Sequence, residues 1–228
     1  MPEHPRPALP AAVLWDMDGT LLDSEKLWDV PLSEFSEKLG TPLSAAVRAA
    51  MVGSNIPTSM GLLFGQSGIV PTAADIADAA EWVQHRVGEL FRTDLVFRPG
   101  AQEALRAVRD TGLPTALVTS TERGLTEVAL DVLGREHFDT TVCGDEVGGR
   151  NKPLPDPYLK AAALLGVDPA HCLAVEDSPT GTASAVAAGC TVLVVPCEVP
   201  VAEGARRILR ESLVGLDSAL LTELMARR

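Results

Sequence analysis

Residues 15–21 read Trp-Asp-Met-Asp-Gly-Thr-Leu, and they follow a short apolar run over 11–14 that predicts a buried strand. The two carboxylates, Asp16 and Asp18, stand at alternate positions, and Gly19 permits a sharp turn out of the strand. We therefore expect the first carboxylate at the carboxyl end of the strand and the second in the loop just beyond it. In open α/β sheets, ligands bind at that edge.

Asp16 and Asp18 would repel each other unless a cation lies between them or one of them is protonated. A hard dication such as Mg²⁺, which prefers oxygen ligands, removes this conflict. The alternative is a simple turn, because Asp-Gly is a common turn dipeptide. Since so short a motif arises often by chance, the rest of the chain has to decide between the two interpretations.

The composition is that of an acidic globular protein. The chain has 228 residues, of which 46% are hydrophobic, and 31 acidic residues against 19 basic ones give a net charge of −12. This charge disfavours nucleic acid and anionic membrane surfaces as partners. A small anionic substrate remains compatible with it, because a metal ion and one or two lysines can reverse the field locally. No apolar run approaches the ~20 residues that span a bilayer.

The N-terminus and the cysteines indicate the compartment. Residues 1–10 contain too many prolines and too little apolar sequence for a signal peptide, and we expect them to form a short disordered lead-in. The four cysteines form no Cys-x-x-Cys pair, and three of them lie in or beside strand-like runs. We therefore expect buried, reduced thiols in a cytoplasmic protein.

Residues 24–95 are expected to be helical throughout. Ser24 is a good N-cap for a first helix that Gly40 ends, and this helix carries a regular apolar stripe. Further helical patterns cover about 43–51, 57–65 and 73–92. We interpret this block as a helical cap, inserted after the first strand and acting as a lid.

From Phe97 onward, strand and helix patterns alternate. The strand-like runs cover 113–120, 141–143, 172–175 and 191–195, and we take the last of these as the final buried strand. Strands that are apolar on both faces and separated by helices predict a parallel sheet covered on both sides. The predicted fold is therefore α/β. A Rossmann-like, doubly wound core covers 11–23 and 96–228, and the all-helical cap covers 24–95.

Polar clusters follow four of the predicted strands. In chain order they are Asp16 with Asp18, Thr119 with Ser120, Lys152, and Glu176 with Asp177. The carboxyl ends of parallel strands lie along one edge of the sheet, so these clusters should converge. Each alone has an ordinary explanation, such as a helix cap or a solvated lysine. Together, the acids can hold Mg²⁺, the lysine and hydroxyls can hold a phosphate, and a carboxylate can attack it.

In this arrangement the chain resembles the phosphohydrolases of the haloacid dehalogenase superfamily. Within this superfamily it resembles the branch that contains β-phosphoglucomutase and the small sugar-phosphate phosphatases. The four matching motifs are Asp16-Met17-Asp18-Gly19-Thr20, Val118-Thr119-Ser120, Lys152-Pro153 with Pro155-Asp156-Pro157-Tyr158, and Val175-Glu176-Asp177-Ser178 with Gly181. The helical stretch 24–95 matches the cap of that branch, so the resemblance spans nearly the whole chain.

The resemblance implies a role for each motif residue. Asp16 would be the nucleophile that takes the phosphoryl group, and Asp18 would be the general acid for the leaving alcohol and then the base for water. The Thr119 hydroxyl and the Ser120 backbone N–H would hold phosphate oxygens together with Lys152.

The metal site is likewise implied by the resemblance. Asp16, the carbonyl of Asp18, and Asp177 would bind Mg²⁺, with Glu176 close by or bound through water. The backbone of Met17 would lie near the transferring group. The expected activity is Mg²⁺-dependent hydrolysis of a small phosphorylated metabolite through an aspartyl phosphate.

Phosphatases and phosphosugar mutases share this core, so only the sequence of the cap can distinguish between the two activities. The mutase-like members carry a histidine at the position of Trp28 and basic residues in the cap loop, whereas residues 51–56 contain no basic residue. We therefore favour hydrolysis. Dehalogenation is disfavoured because the haloacid enzymes lack an acid at the Asp18 position. A non-catalytic, phospho-accepting or binding protein is disfavoured because an acid/base group at Asp18 would release the phosphate quickly.

Trp28, Ser54 and Asn55 are our candidates for contacts to the leaving group, with simple packing inside the cap as the alternative for Trp28. Glu25 is a weaker candidate, because it also suits the first turn of a helix. Sugar phosphates, phosphoglycolate and nucleoside monophosphates all remain possible substrates. We expect a monomer.

Overall fold

The computed structural model of the chain describes residues 9–227, so the first eight residues of the predicted lead-in lie outside the described part. A six-stranded sheet, parallel throughout, has the strand order β3-β2-β1-β4-β5-β6. The strands are β1 (Val13–Trp15), β2 (Thr115–Val118), β3 (Thr140–Val142), β4 (Leu173–Glu176), β5 (Thr191–Val194) and β6 (Arg207–Leu209). The α-helices are α1 (Glu25–Lys38), α2 (Ala45–Met51), α3 (Ile56–Gln66), α4 (Ala73–Asp94), α5 (Ala101–Asp110), α6 (Arg123–Leu133), α7 (Asp156–Leu165), α8 (Pro179–Ala188) and α9 (Ser218–Ala226).

Strand β1 lies at the centre of the sheet, between β2 and β4. Successive residues of β1 pack on opposite faces because side chains alternate along a strand. Leu14 belongs to the apolar cluster that includes Tyr158 of α7, whereas Trp15 belongs to the cluster that includes Leu105 of α5 and Leu221 of α9. The sheet is therefore covered on both faces, which confirms the predicted α/β fold class.

The helices α1 to α4 follow β1 directly and pack mainly on one another, with α1 and α3 against α4. Two adjacent chain segments join this helical block to the sheet. The N–H of Asp23 donates to the carbonyl of Val96 at 2.9 Å, and the N–H of Arg98 donates to the carbonyl of Leu21 at 2.8 Å. The entry and exit of the block are thus hydrogen-bonded side by side.

The sequence analysis did not predict β6 or α9. Strand β6 is only three residues long, two of them half-buried and the third exposed, so its Arg-Ile-Leu sequence lacks the apolar run that marks the central strands. Helix α9 covers the sheet through Leu221 and Leu224, which are fully or almost fully buried.

Three of the four thiols, those of Cys143, Cys172 and Cys190, are buried, and that of Cys197 is half-buried. Between residues 9 and 227, no helix is both long enough and apolar enough to cross a membrane.

Candidate active site

The loop after β1 brings the first acid into contact with the acid that follows β4. Asp16 comes directly after β1 and is only 6% exposed. Thr20 Oγ1 donates a hydrogen bond of 2.7 Å to Asp16 Oδ2. Gly19 has a φ of +76°, and a Cβ at this position would overlap the carboxylate of Asp177. Glycine is therefore required here both for the turn and for the close approach of Asp177.

Lys152 connects the carboxyl ends of three strands. Its Nζ donates to Asp16 Oδ1 at 2.6 Å, to Glu176 Oε1 at 2.7 Å and to the carbonyl of Val118 at 3.0 Å. Burial favours the neutral amine, but the charges of Asp16 and Glu176 outweigh it and raise the pKa of Lys152. The side chain is therefore a buried ammonium ion, placed beside the candidate nucleophile as the strand-end rule predicts.

Three buried carboxylates form a group that could hold a metal ion. Asp16, Glu176 and Asp177 each offer an oxygen atom, and these atoms lie within 4.8 Å of one another. Asp177 Oδ2 is buried and has no hydrogen-bond partner among residues 9–227. Burial, followed by the charge of Asp16, raises the pKa of Glu176 and of Asp177.

Together with Lys152, which forms ion pairs with two of them, the three carboxylates carry a formal charge of −2 when ionised. A hard dication with a preference for oxygen ligands would neutralise that charge. It would also give Asp177 Oδ2 the partner that it lacks. The donor set therefore fits Mg²⁺.

Tyr158 and Gly181 hold the carboxylate of Glu176, and the sequence analysis assigned a role to neither. The Tyr158 hydroxyl donates to Glu176 Oε1 at 2.5 Å, and burial raises the pKa of this phenol well above its usual range. Gly181, in the first turn of α8, leaves room for the carboxylate that any Cβ would fill. Both residues belong to the third and fourth motifs quoted from the sequence, but the sequence does not show what they contact.

Asp18 receives hydrogen bonds from both the cap and the core. Ser24 Oγ donates to Asp18 Oδ1 at 2.8 Å and Trp28 Nε1 donates to the same oxygen at 3.1 Å, while Thr121 Oγ1 donates to Oδ2 at 2.7 Å. Burial raises the pKa of Asp18, although the hydrogen bond from Thr121 opposes this shift. Such an environment suits a carboxyl group that has to exchange a proton.

Two of these donors contact Asp18 in a way that the sequence analysis did not predict. Ser24 stands at the N-cap position of α1, but its hydroxyl caps no backbone N–H, because it donates to Asp18 instead. The predicted N-cap position of Ser24 is therefore confirmed, but its side chain makes no capping hydrogen bond to the helix. Thr121 was missed altogether, since a third hydroxyl after Thr119 and Ser120 looks like an ordinary helix-cap residue.

The segment after β2 lies between Asp18 and the cap. Thr119 Oγ1 accepts a hydrogen bond from the Thr121 N–H at 3.0 Å, and it lies 3.4 Å from Asp18 Oδ2. Ser120 Oγ donates to the carbonyl of Gly53, in the cap loop, at 3.1 Å. The predicted phosphate-binding residues thus lie next to Asp18, at the contact between cap and core. Met17 is fully buried in the main apolar cluster, so only its backbone is available to a ligand.

A cavity of about 50 Å³ lies between the cap and the strand ends. Its lining includes Asp16, Asp18, Glu25, Trp28, Arg48, Ser54, Thr119, Ser120 and Thr121. Trp28 packs edge-on against Phe91, with ring centroids 6.1 Å apart, so it both packs within the cap and contacts Asp18.

Asn55 accepts a hydrogen bond from the Thr58 N–H at 2.9 Å as the N-cap of α3. This cap uses only Oδ1, so the Nδ2 group can still donate to a leaving group, although Asn55 is not among the residues that line the cavity. Arg48 was missed, because it lies in α2, ahead of the loop 51–56 that was searched for basic residues.

Comparison with known proteins identifies the family. The family model of the haloacid dehalogenase-like hydrolases matches residues 10–189. The chain is 30% identical over 226 residues to hexitol phosphatase B of Escherichia coli O157:H7, with 95% of each chain covered. It is 34% identical over 191 residues to hexitol phosphatase A of Escherichia coli K12, covering 82% of this chain and 84% of that one.

A crystal structure of CbbY from Rhodobacter sphaeroides in complex with phosphate is also similar. It superposes with a TM-score of 0.82 at 26% identity, covering 94% of this chain and all of that one. The predicted family and the prediction of a hydrolytic enzyme are both confirmed. The chain belongs to the haloacid dehalogenase-like hydrolase family.

Proposed function

We propose that this protein is a Mg²⁺-dependent phosphomonoester hydrolase that acts on a small sugar-phosphate-like metabolite through an aspartyl phosphate on Asp16. The observation that carries the proposal is the Lys152 ammonium, which contacts Asp16 and Glu176 at 2.6 and 2.7 Å, in the same site as a half-buried, multiply hydrogen-bonded Asp18. These residues would supply a nucleophile, a phosphate-binding cation and a proton donor within one site.

Asp16, Asp177 and the carbonyl of Asp18 are the proposed Mg²⁺ ligands, with Glu176 close by or bound through water. The ion would neutralise charge on the phosphate oxygens during transfer. The unpartnered Oδ2 of Asp177 supports this assignment.

The proposed reaction has two steps. In the first, an Asp16 carboxylate oxygen forms a bond to phosphorus as the bond from phosphorus to the leaving oxygen breaks, and Asp18 gives its proton to that oxygen. In the second, Asp18 takes a proton from water as the water oxygen attacks phosphorus, which releases phosphate and regenerates Asp16. Lys152, Thr119 and the Ser120 backbone N–H hold the phosphate oxygens throughout.

Residues 24–95 are proposed to act as a cap domain that opens to admit substrate. With the cap in contact through Ser120 and Gly53, the cavity of about 50 Å³ has room for little more than one or two water molecules. A hexose phosphate is much larger, so it could enter only after the cap withdraws. Closure would then exclude bulk water from the phosphoryl group.

The first experiment measures hydrolysis of p-nitrophenyl phosphate by the purified protein with Mg²⁺ and with EDTA. We expect activity only with Mg²⁺, and we expect Asp16→Asn to lose it by orders of magnitude while keeping the circular dichroism spectrum of the wild type. Full activity in EDTA would contradict the metal role. Wild-type activity in Asp16→Asn would contradict the role of Asp16 as the nucleophile. A panel of phosphorylated metabolites would then identify the substrate, and stable phosphorylation without turnover would favour a phospho-accepting protein instead.

A further inference from the structure

An ion-pair cluster on the cap side of the cavity consists of Arg48, Glu25 and Asp29, of which Glu25 is buried and Asp29 is half-exposed. Arg48 Nη2 donates to Glu25 Oε2 at 2.5 Å and to the Glu25 carbonyl at 3.2 Å, and Arg48 Nε donates to Asp29 Oδ1. The side chains of Arg48 and Glu25 are only 16% and 6% exposed. This cluster therefore joins α1 to α2 at the wall that faces Asp18.

The guanidinium is already neutralised by its own neighbours. It is paired with two carboxylates at once, and burial, which favours a neutral guanidine, is outweighed by Glu25 and Asp29, which raise the pKa of Arg48. Breaking such a pair to serve a new anion would leave a buried carboxylate without its counter-charge, which is costly. Arg48 is thus a poor receptor for a second phosphate or a carboxylate.

The other charges around the cavity also disfavour a second anionic group on the substrate. Asp16, Asp18 and Glu25 line it together with one cation, Arg48. The next cation, Lys152, is held between Asp16 and Glu176 and serves the transferring phosphate. On the leaving-group side, an additional negative charge on the substrate would therefore meet carboxylates and no free positive charge among the described lining residues.

Hydroxyl groups, by contrast, fit this wall without disturbing it. Neither Nη1 of Arg48 nor Oε1 of Glu25 makes a hydrogen bond to any group within residues 9–227, although both side chains line the cavity. The first can donate to a hydroxyl oxygen and the second can accept from a hydroxyl proton. A polyol can use both while the ion pair stays intact.

We propose that the Arg48–Glu25 pair selects an uncharged polyol as the leaving group and rejects substrates that carry a second anionic group there. This inference rests on the proposed function. It assigns the sugar-phosphate class of monoesters and excludes bisphosphates, phosphoglycolate and phosphorylated sugar acids as preferred substrates.

The test compares glucitol 6-phosphate with 6-phosphogluconate, which share a six-carbon chain and differ only at C1, a hydroxymethyl group in one and a carboxylate in the other. The quantity measured is the ratio of their kcat/KM values at saturating Mg²⁺. We expect the wild type to favour glucitol 6-phosphate by at least about 30-fold, because the carboxylate would lie among like charges.

Two variants should have different effects on this ratio. Glu25→Gln removes one negative charge and frees Arg48 from one partner, so the ratio should fall by about tenfold or more. Arg48→Met leaves Glu25 without its cation, so the ratio should not fall and the KM for glucitol 6-phosphate should rise.

Arg86→Met is the matched control. Arg86 also pairs with two cap carboxylates, those of Glu34 and Glu89, but it lies outside the cavity. Its removal should leave the ratio unchanged. Thermal unfolding of each variant checks that it is folded. If one variant does not fold, the ratio of kcat/KM values measured for the wild type still tests the inference.

A wild-type ratio near one would overturn the inference, and so would a Glu25→Gln ratio equal to that of the wild type. Either result, with p-nitrophenyl phosphate still hydrolysed, would leave the proposed function standing. Failure to hydrolyse any of the three esters would instead overturn the proposed function, and the inference with it.

Discussion

Replacing Gly181 with alanine tests whether stability and activity depend on the position of the Glu176 carboxylate. An alanine Cβ at position 181 would lie 2.0 and 2.1 Å from the two carboxylate oxygens of Glu176. Cβ atoms in proteins essentially never come closer than 3.0 Å to another heavy atom, so the overlap is about 1 Å. The carboxylate therefore has to move by about that distance, which breaks its 2.7 Å contact with Lys152 and its 2.5 Å contact with Tyr158.

The expected cost follows from these two contacts. Hydrogen bonds to charged groups contribute about 1.5–3 kcal/mol each, so losing two costs about 3–6 kcal/mol. Alanine in place of a helical glycine returns about 1 kcal/mol. The free energy of unfolding should therefore fall by about 2–5 kcal/mol, which lowers the Tm by about 4–20 °C for a chain of this size. Because a misplacement of about 1 Å at a catalytic group can cost about 100-fold in rate, kcat/KM should fall by that factor.

The assays are thermal unfolding and hydrolysis of p-nitrophenyl phosphate over a range of Mg²⁺ concentrations. Gly124→Ala is the matched control, because Gly124 also lies in the first turn of a helix, α6, but is exposed, and a Cβ added there would meet no other atom within 4 Å. It should keep full activity and gain up to about 1 kcal/mol of stability. A Gly181→Ala protein with the Tm and kcat/KM of that control would refute the reasoning about Glu176.

Two further predictions concern the buried lysine and the thiols. Lys152→Ala should lower kcat by orders of magnitude and, in EDTA, lower the free energy of unfolding by about 3–5 kcal/mol, because Asp16 and Glu176 lose their buried counter-charge. Mg²⁺ should restore much of that stability but little activity, and equal recovery of both would show a purely structural lysine. Burial raises the pKa of Cys190 from 9.0 to about 12, so the stability contributed by this neutral thiol is complete below pH 9 and is lost as the pH rises towards 12. At neutral pH a thiol-reactive dye should label half-buried Cys197 first, and equal labelling rates for both cysteines in the native protein would contradict this.

The sequence was sufficient to predict that the site residues lie close together, because the carboxyl ends of parallel strands lie along one edge of a sheet. Asp16 and Lys152 are 136 residues apart, yet each follows a recognisable strand of a parallel sheet, so their meeting could be inferred before any coordinates. The fold class followed from the same alternation of strands and helices. The domain boundaries at 24 and 95 and the roles of the site residues remain predictions.

The residues that the sequence analysis missed act through contacts that a linear pattern does not encode. Arg48 reaches the cavity because α2 packs beside α1, and Tyr158 reaches Glu176 because the buried face of α7 covers the sheet. Ser24 looked like a helix cap, and only the position of Asp18 shows that its hydroxyl has another partner. Packing between elements decides each of these contacts, and short-range sequence signals carry no information about it.

Trapping the phosphorylated enzyme tests the account most directly. In Asp18→Asn, a good leaving group such as p-nitrophenolate can still depart without a proton, whereas attack by water should be slow for lack of a base. This variant is mixed with p-nitrophenyl phosphate and Mg²⁺, quenched with acid and analysed by peptide mass spectrometry. We expect one phosphoryl group on Asp16. We expect none in EDTA, and none in the double variant that combines Asp18→Asn with Asp16→Asn. A burst of p-nitrophenol with no phosphorylated peptide, or with the phosphoryl group on another residue, would contradict the account.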